Sequence, residues 1–336
     1  MAKMYNVTSF RKGKQGSVTD TARNIGRRFF RQENAVLISI LAGMLIVMGI
    51  VSKGATLTRV NLSNIWLQSS TRGIAAIGET FVILTAGIDI AVGGLALMVA
   101  VLGASIMSGE TGSIPLAIVA MLLLGIGIGA LNGVLTARVP MPALIVTLGM
   151  WRITTGGAYL ICRGITIRHL PESIGLIGAG KIAGMPIPGV IFAIVAAVSY
   201  FVLYYTPYGR AVYAVGGDPI AARLCGLRVP NITFSVYIIS GMLAALCGLI
   251  LMSRTMSGGM NTVTGLELDC IAATVIGGIS LMGGRGSLIG TIIGVFIMGV
   301  INNGMNVFAL NPAFHDVVKG AIIISAVAFD YWRRRT

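Results

Sequence analysis

The residues able to do chemistry are few, and most lie inside apolar sequence. Asp89 stands alone in TAGIDIAVGG, residues 85–94, with Gly87 and Gly93 on either side of it. An ionisable residue at membrane depth is costly and points to a transport pathway. Irregular, glycine-rich backbone at that depth is tolerated only where it is buried in protein or lines a cavity. The same spacing suits a helix cap, in which Asp89 accepts a backbone N–H, and both readings stand. Glu79 and Arg72 interrupt the preceding apolar run, and Lys319 interrupts the last one. Glu267 and Asp269, in GLELDC, precede a weaker apolar run. They are candidates either for an outer mouth that meets a soluble partner or for acids favoured by a helix N-terminus. Asn302, Asn303 and Asn306 cluster in one run, and the spacing of Asn302 and Asn306 puts them on one helical face. Such amides bind hydroxyl-rich solutes or tie neighbouring helices together. Asp89, Gly87, Gly93, Glu79 and the three asparagines are the candidate pathway or gate residues.

None of these residues forms a catalytic pattern. His169 and His315 are far apart, with no acid or cysteine at a defined offset, and no nucleophile elbow, zinc-protease or phosphate-loop sequence occurs. Cys162, Cys225, Cys247 and Cys270 show no metal-ligand or redox spacing and are expected as small core residues, although a Cys162–Cys270 bridge is conceivable. The sequence therefore predicts no enzyme, no metal and no cofactor in this chain. Energy for active transport must come from an ion gradient or from another subunit. Intramembrane carboxylates are too few to favour a proton-coupled pump.

Apolar sequence must position these residues. Of 336 residues, 55% are hydrophobic and 11% charged, against roughly 25% charged in soluble domains. The chain is predicted to be an all-α polytopic membrane protein. About ten transmembrane helices are expected near 35–52, 64–86, 91–107, 114–137, 141–162, 187–205, 232–253, 267–282, 287–307 and 314–330. The net charge of +14 is concentrated at span flanks, which argues against nucleic acid and for membrane topology. Lys3, Arg11, Lys12, Lys14, Arg23, Arg27, Arg28 and Arg31 lie in a tail over 1–34. Arg138, Arg210, Arg223, Arg228, Arg285 and Arg333 to Arg335 fall on the same side if the tail is inside. Lys53, Arg59, Arg163, Arg168, Lys181 and Arg254 fall on the other. This bias predicts both termini in the cytoplasm, with a membrane domain over 35–331. The basic tail suits anionic lipid or a cytoplasmic partner. Glycines repeat at four-residue spacing at 125, 129 and 133 and again at 286, 290 and 294, a pattern that lets helices approach closely in lipid. A faint likeness links AGIDIAVGG (86–94) and GGISLMGGRG (277–286).

One loop is more structured than a connection needs. In YAVGGDPIAARLCGLRVPN, residues 213–231, Asp218 suits an N-cap, Pro219 the first helical position, and Gly226 a left-handed end. A helix this short is marginal alone and makes sense if something packs on it.

TFVILTAGIDIAVGG, YAVGGDPIAARLCGLRV and GLELDCIAATVIGGISLMGGRGSLIGTIIG together resemble the membrane permeases of bacterial ABC monosaccharide importers, the ribose/xylose/arabinose/galactoside permease family. The resemblance covers about residues 60–330. It implies an ABC importer permease fold in the inner membrane, with two permease copies forming the pore. A separate cytoplasmic ATPase would hold ATP and Mg, and a periplasmic sugar-binding protein would deliver the solute. It assigns 207–231 as the coupling segment. Gly216, Gly217, Asp218, Pro219, Ala221, Ala222, Arg223, Leu224 and Gly226 would form the helix that docks on the ATPase. Ala91 and Gly94 stand where the family more often carries hydroxyls, and Cys225 where it often has serine. The expected function is import of a ribose-like monosaccharide by alternating access. The alternatives are an ABC permease for a nucleoside, branched-chain amino acid or sugar-like signal, and a gradient-driven carrier.

Overall fold

A computed structural model describes residues 17–108, 113–139 and 141–333. Residues 1–16 of the expected basic tail, with Lys3, Arg11, Lys12 and Lys14, lie outside the described residues, as do Arg334 and Arg335. Helix α1 (Ser17–Val51) is followed by a short 3-10 turn and α2 (Arg59–Leu84), then α3 (Ala91–Met107), α4 (Ile114–Ala137) and α5 (Ala143–Cys162). A short α6 (Glu172–Ala179) and a two-stranded hairpin, β1 (Lys181–Ile182) and β2 (Met185–Pro186), precede α7 (Ile187–Tyr205). Next come α8 (Pro207–Gly217), α9 (Pro219–Leu224), α10 (Val229–Thr255), α11 (Leu266–Ile276), α12 (Leu288–Val307) and α13 (Pro312–Arg333). Local chemistry sets several starts. The side chains of Thr58, Ser113, Thr206 and Ser287 each accept the N–H of the residue three positions on.

The chain is an all-α polytopic membrane protein. Among the described residues, six helices are long and apolar enough to cross a membrane: the Asn34–Val51 part of α1, and α4, α5, α7, α10 and α12. The remaining expected spans differ in kind. Helix α2 carries buried polar groups, and α3 is only 17 residues long. The eighth expected span, 267–282, is corrected. Its helix, α11, stops after 11 residues, about 16 Å at ~1.5 Å per residue, roughly half a hydrocarbon core of ~30 Å. The chain breaks at Gly277 and at Gly278, whose φ is 84°. The first helix also differs from expectation, running back to Ser17 through part of the predicted tail. No proline interrupts residues 17–34, so helix can propagate back from the apolar run.

Both glycine rows pack within the chain. A Cβ on Gly125, Gly129 or Gly133 would press on the carbonyls of Gly241, Tyr237 or Phe234 of α10, at 2.6, 2.5 and 2.8 Å. A Cβ on Gly290 or Gly294 would collide with the carbonyls of Gly277 or Ala273, so α11 lies against α12 backbone to backbone. Helix α10 is the central post, packed on α2, α3 and α4.

Candidate functional site

The segment expected to couple to an ATPase folds as two helices, α8 and α9, that meet at Asp218. The Asp218 carboxylate accepts the N–H groups of Ile220 (2.8 Å) and Ala221 (3.0 Å), with Pro219 in the first turn and Gly226 at φ 84° closing the end. The cap fixes α9 against α8. Ala222 is buried, while Ala221, Arg223 and Arg228 are exposed. Ile220 and Leu224 are 74% and 85% exposed, two apolar side chains with nothing covering them. Cys225 is exposed too, contrary to the expected core placement, because it follows the last turn of α9 on its open side. The other three cysteines are buried free thiols, so no Cys162–Cys270 bridge exists.

Gly216 is buried rather than displayed with its neighbours. A Cβ there would collide with the Leu84 carbonyl at the end of α2 and lie 2.7 Å from the Gly284 nitrogen. Gly217 has open space instead. The Gly284 N–H donates to the Leu84 carbonyl (2.9 Å), and Gly283, at φ 81°, sits against Ala86 and Gly216. Tyr213 adds a hydrogen bond from its hydroxyl to the Gly286 carbonyl (3.1 Å). The three glycine-rich segments singled out in the sequence thus converge on one junction. Sequence reasoning missed Tyr213 and Leu84. The glycines were the available signal, but nothing in them named their partners.

Next to this junction the chain folds back at residues 85–90. The Asp89 N–H donates to Glu79 Oε1 (3.1 Å), Asp89 Oδ1 accepts the Ala91 N–H (3.1 Å), and Asp89 Oδ2 accepts the Ser240 hydroxyl (2.8 Å). Asp89 therefore caps the start of α3 and also ties it to α2 and α10. Asp89 and Glu79 are 2% and 0% exposed, and neither lines an open path. A Cβ on Gly87 would lie 2.8 Å from the Tyr237 hydroxyl, and one on Gly93 would collide with the Glu267 carboxylate. Ala91 and Gly94 are packing positions. A Cβ at Gly94 would already be 2.5 Å from Thr154 Oγ1 and 2.7 Å from the Trp151 carbonyl, so a serine does not fit there.

The two outer-mouth candidates part company. Glu267 is half-buried beside Gly93. Asp269 is buried, 3% exposed. Its carboxylate pairs with Arg72 (2.8 Å) and Lys319 (2.9 Å), locking α11 between α2 and α13. The asparagines also separate. Asn303 exchanges two amide hydrogen bonds of 2.8 Å with Asn61 of α2, the interhelical reading. Asn302 is buried with its Nδ2 unpartnered, and Asn306 is exposed near the end of α12.

Residues 61–327 match a family described as branched-chain amino acid transport system / permease component. The ribose import permease protein RbsC of Escherichia coli K12 is 38% identical over 311 residues, covering 91% of this chain and 97% of that protein. RbsC of Bacillus subtilis 168 is 38% identical over 293 residues, 86% of this chain and 90% of that one. The fructose import permease protein FrcC of Rhizobium meliloti is 36% identical over 313 residues, 90% and 86% respectively. No solved structure matches the chain. A family match over most of the sequence and relatives similar along nearly their whole length lead to one assignment: the chain belongs to the permease-component family of branched-chain amino acid transport systems and the sugar import permeases similar to it.

Proposed function

We propose that this chain is the pore-forming membrane subunit of an ATP-driven importer that moves a ribose-like monosaccharide by alternating access. It is a multi-pass inner-membrane protein that works with a cytoplasmic ABC ATPase, which holds ATP and Mg, and with a periplasmic sugar-binding protein. In this reading a second copy completes the pore, both termini are cytoplasmic, and the basic tail lies near anionic lipid. The observation that carries it is the α8–α9 element. Asp218 builds a short capped helix with Ile220 and Leu224 open to solvent, and Gly216 seats the preceding helix, α8, directly on the end of α2 and the 277–286 loop. Two exposed apolar side chains one turn apart on a capped element are consistent with a surface that a partner covers. A partner that shifts this element shifts the ends of two membrane segments with it. Relatives named for ribose, fructose and D-allose support a sugar as cargo over an amino acid or nucleoside.

The test is a detergent pull-down from native membranes with mass spectrometry, comparing wild type with an Asp218→Ala/Arg223→Ala variant. The expected result is an ATPase recovered with wild type and lost with the variant. No ATPase with either would favour a gradient-driven carrier, for which ion-dependent uptake would then be measured.

A further inference from the structure

Arg72 lies midway along α2, yet its side chain is 31% exposed. A guanidinium near the centre of a span costs about 3 kcal/mol or more in lipid and faces water or protein instead. Gln68, one turn away, is also only half-buried. These two residues border a cleft between α2, α11 and α12 that is also lined by Ser69, Asp269, Gly299 and Asn302. Ser69 Oγ and Asn302 Nδ2 are buried there without hydrogen-bond partners, although their residues are 1% and 5% exposed. Native interiors rarely leave such groups unpaired, and each instance calls for an explanation. Gly299 makes room for the Ser69 hydroxyl, because a Cβ at that position would collide with it.

We infer that this cleft is a hydroxyl-recognition subsite on the translocation path, taking the hydroxyl groups of a neutral sugar or polyol as it passes. The inference rests on the importer reading above. Asp269 pairs with one guanidinium nitrogen of Arg72, which leaves further N–H donors for a solute. Asn302 Nδ2 donates, the Ser69 hydroxyl both donates and accepts, and the Gln68 amide does both. A sugar hydroxyl also donates and accepts, so this set matches a polyol better than an apolar amino-acid side chain. In this conformation the void holds about one water, and passage requires α11 and α12 to part from α2. The means is built in. Helix α11 ends in the glycine loop clasped by Leu84 and Gly216, so the coupling junction and the cleft share one short element.

The experiment uses the complete complex, with ATPase and sugar-loaded binding protein, in proteoliposomes. Sugar imported per ATP hydrolysed is measured for wild type, Ser69→Ala and Asn302→Ala. Each variant is expected to lower that ratio about fivefold to tenfold, the effect of one lost hydrogen bond to the passing solute. The loss should be smaller for a deoxy sugar lacking the matched hydroxyl. Ratios equal to wild type would overturn the subsite while leaving the importer intact. A wild-type complex that imports no sugar would instead overturn the importer reading. Should the alanine variants fail to fold, Gln68→Cys in a background without the four native cysteines supplies the second readout. A membrane-impermeant maleimide is expected to label it, and a position that stays unreactive throughout the ATP cycle would face lipid and sink the proposal.

Discussion

A methyl group added at Gly216 would run into the Leu84 carbonyl, and neither backbone has a flexible side chain to move aside. Gly216→Ala is therefore expected to cost about 1–3 kcal/mol through overpacking. At Gly217 an added Cβ meets nothing, so Gly217→Ala should leave the stability of the isolated permease close to wild type. Thermal unfolding of the two variants in detergent checks the contrast, and equal melting would refute the seating of α8 on α2. Charge decides a second case. Asp269 is the carboxylate between Arg72 and Lys319, so the triad already carries a net positive charge. Asp269→Asn leaves two cations facing each other, and removing one partner of a buried pair costs about 3–5 kcal/mol. Lys319→Met removes the surplus charge and keeps the Arg72–Asp269 pair, so its effect should be much milder. Thermal shift measurements ordering the two the other way would show that the triad does not hold α11.

At the scale of elements, α9 allows the proposed docking to be tested apart from stability. Leu224 is 85% exposed and supports nothing inside the chain. Leu224→Asp should change permease stability by less than about 0.5 kcal/mol but weaken association with the ATPase at least about tenfold, or 1.4 kcal/mol. Co-purification and titration of the ATPase against detergent-solubilised permease would measure this, and undiminished affinity would remove α9 from the interface. This element was legible in the sequence because its determinants are local: an N-cap, a proline in the first turn and a closing glycine act within a few residues. Helix α11 was not legible. Its apolar run continues through Gly277 and Gly278 into Ile279, and hydropathy does not distinguish a span from a half-helix followed by a buried loop. The ion pairing of Asp269 was not legible for a related reason. Its two partners are distant in sequence, and only the packing of α2, α11 and α13 brings them together. Asn303 and Asn302 are adjacent in sequence, yet one is paired across helices and the other is unpartnered, a distinction set by which neighbour faces each side of α12.

Across the whole molecule, the distribution of basic residues and the exposure of a single cysteine make orientation measurable. The end of the molecule that holds α9 carries Arg138, Arg210, Arg223, Arg228 and Arg285, and positive residues accumulate at cytoplasmic flanks. Cys225 is exposed at that end, while Cys162, Cys247 and Cys270 are buried, so the unmodified chain presents one reactive position. A membrane-impermeant maleimide should label the wild-type protein in inside-out vesicles and leave it unlabelled in intact spheroplasts, and Cys225→Ser should abolish the signal. If α9 docks on the ATPase, the assembled complex should also label more slowly than the permease alone, since Cys225 directly follows the helix whose Ile220 and Leu224 would be covered. Labelling from the outer face would invert the topology and move the α8–α9 element away from any ATPase. Inner-face labelling with no protection would keep the topology but place the docking contact elsewhere. The same exposed thiol thus tests two separable parts of the importer reading: which way the helices run, and what the capped helix touches.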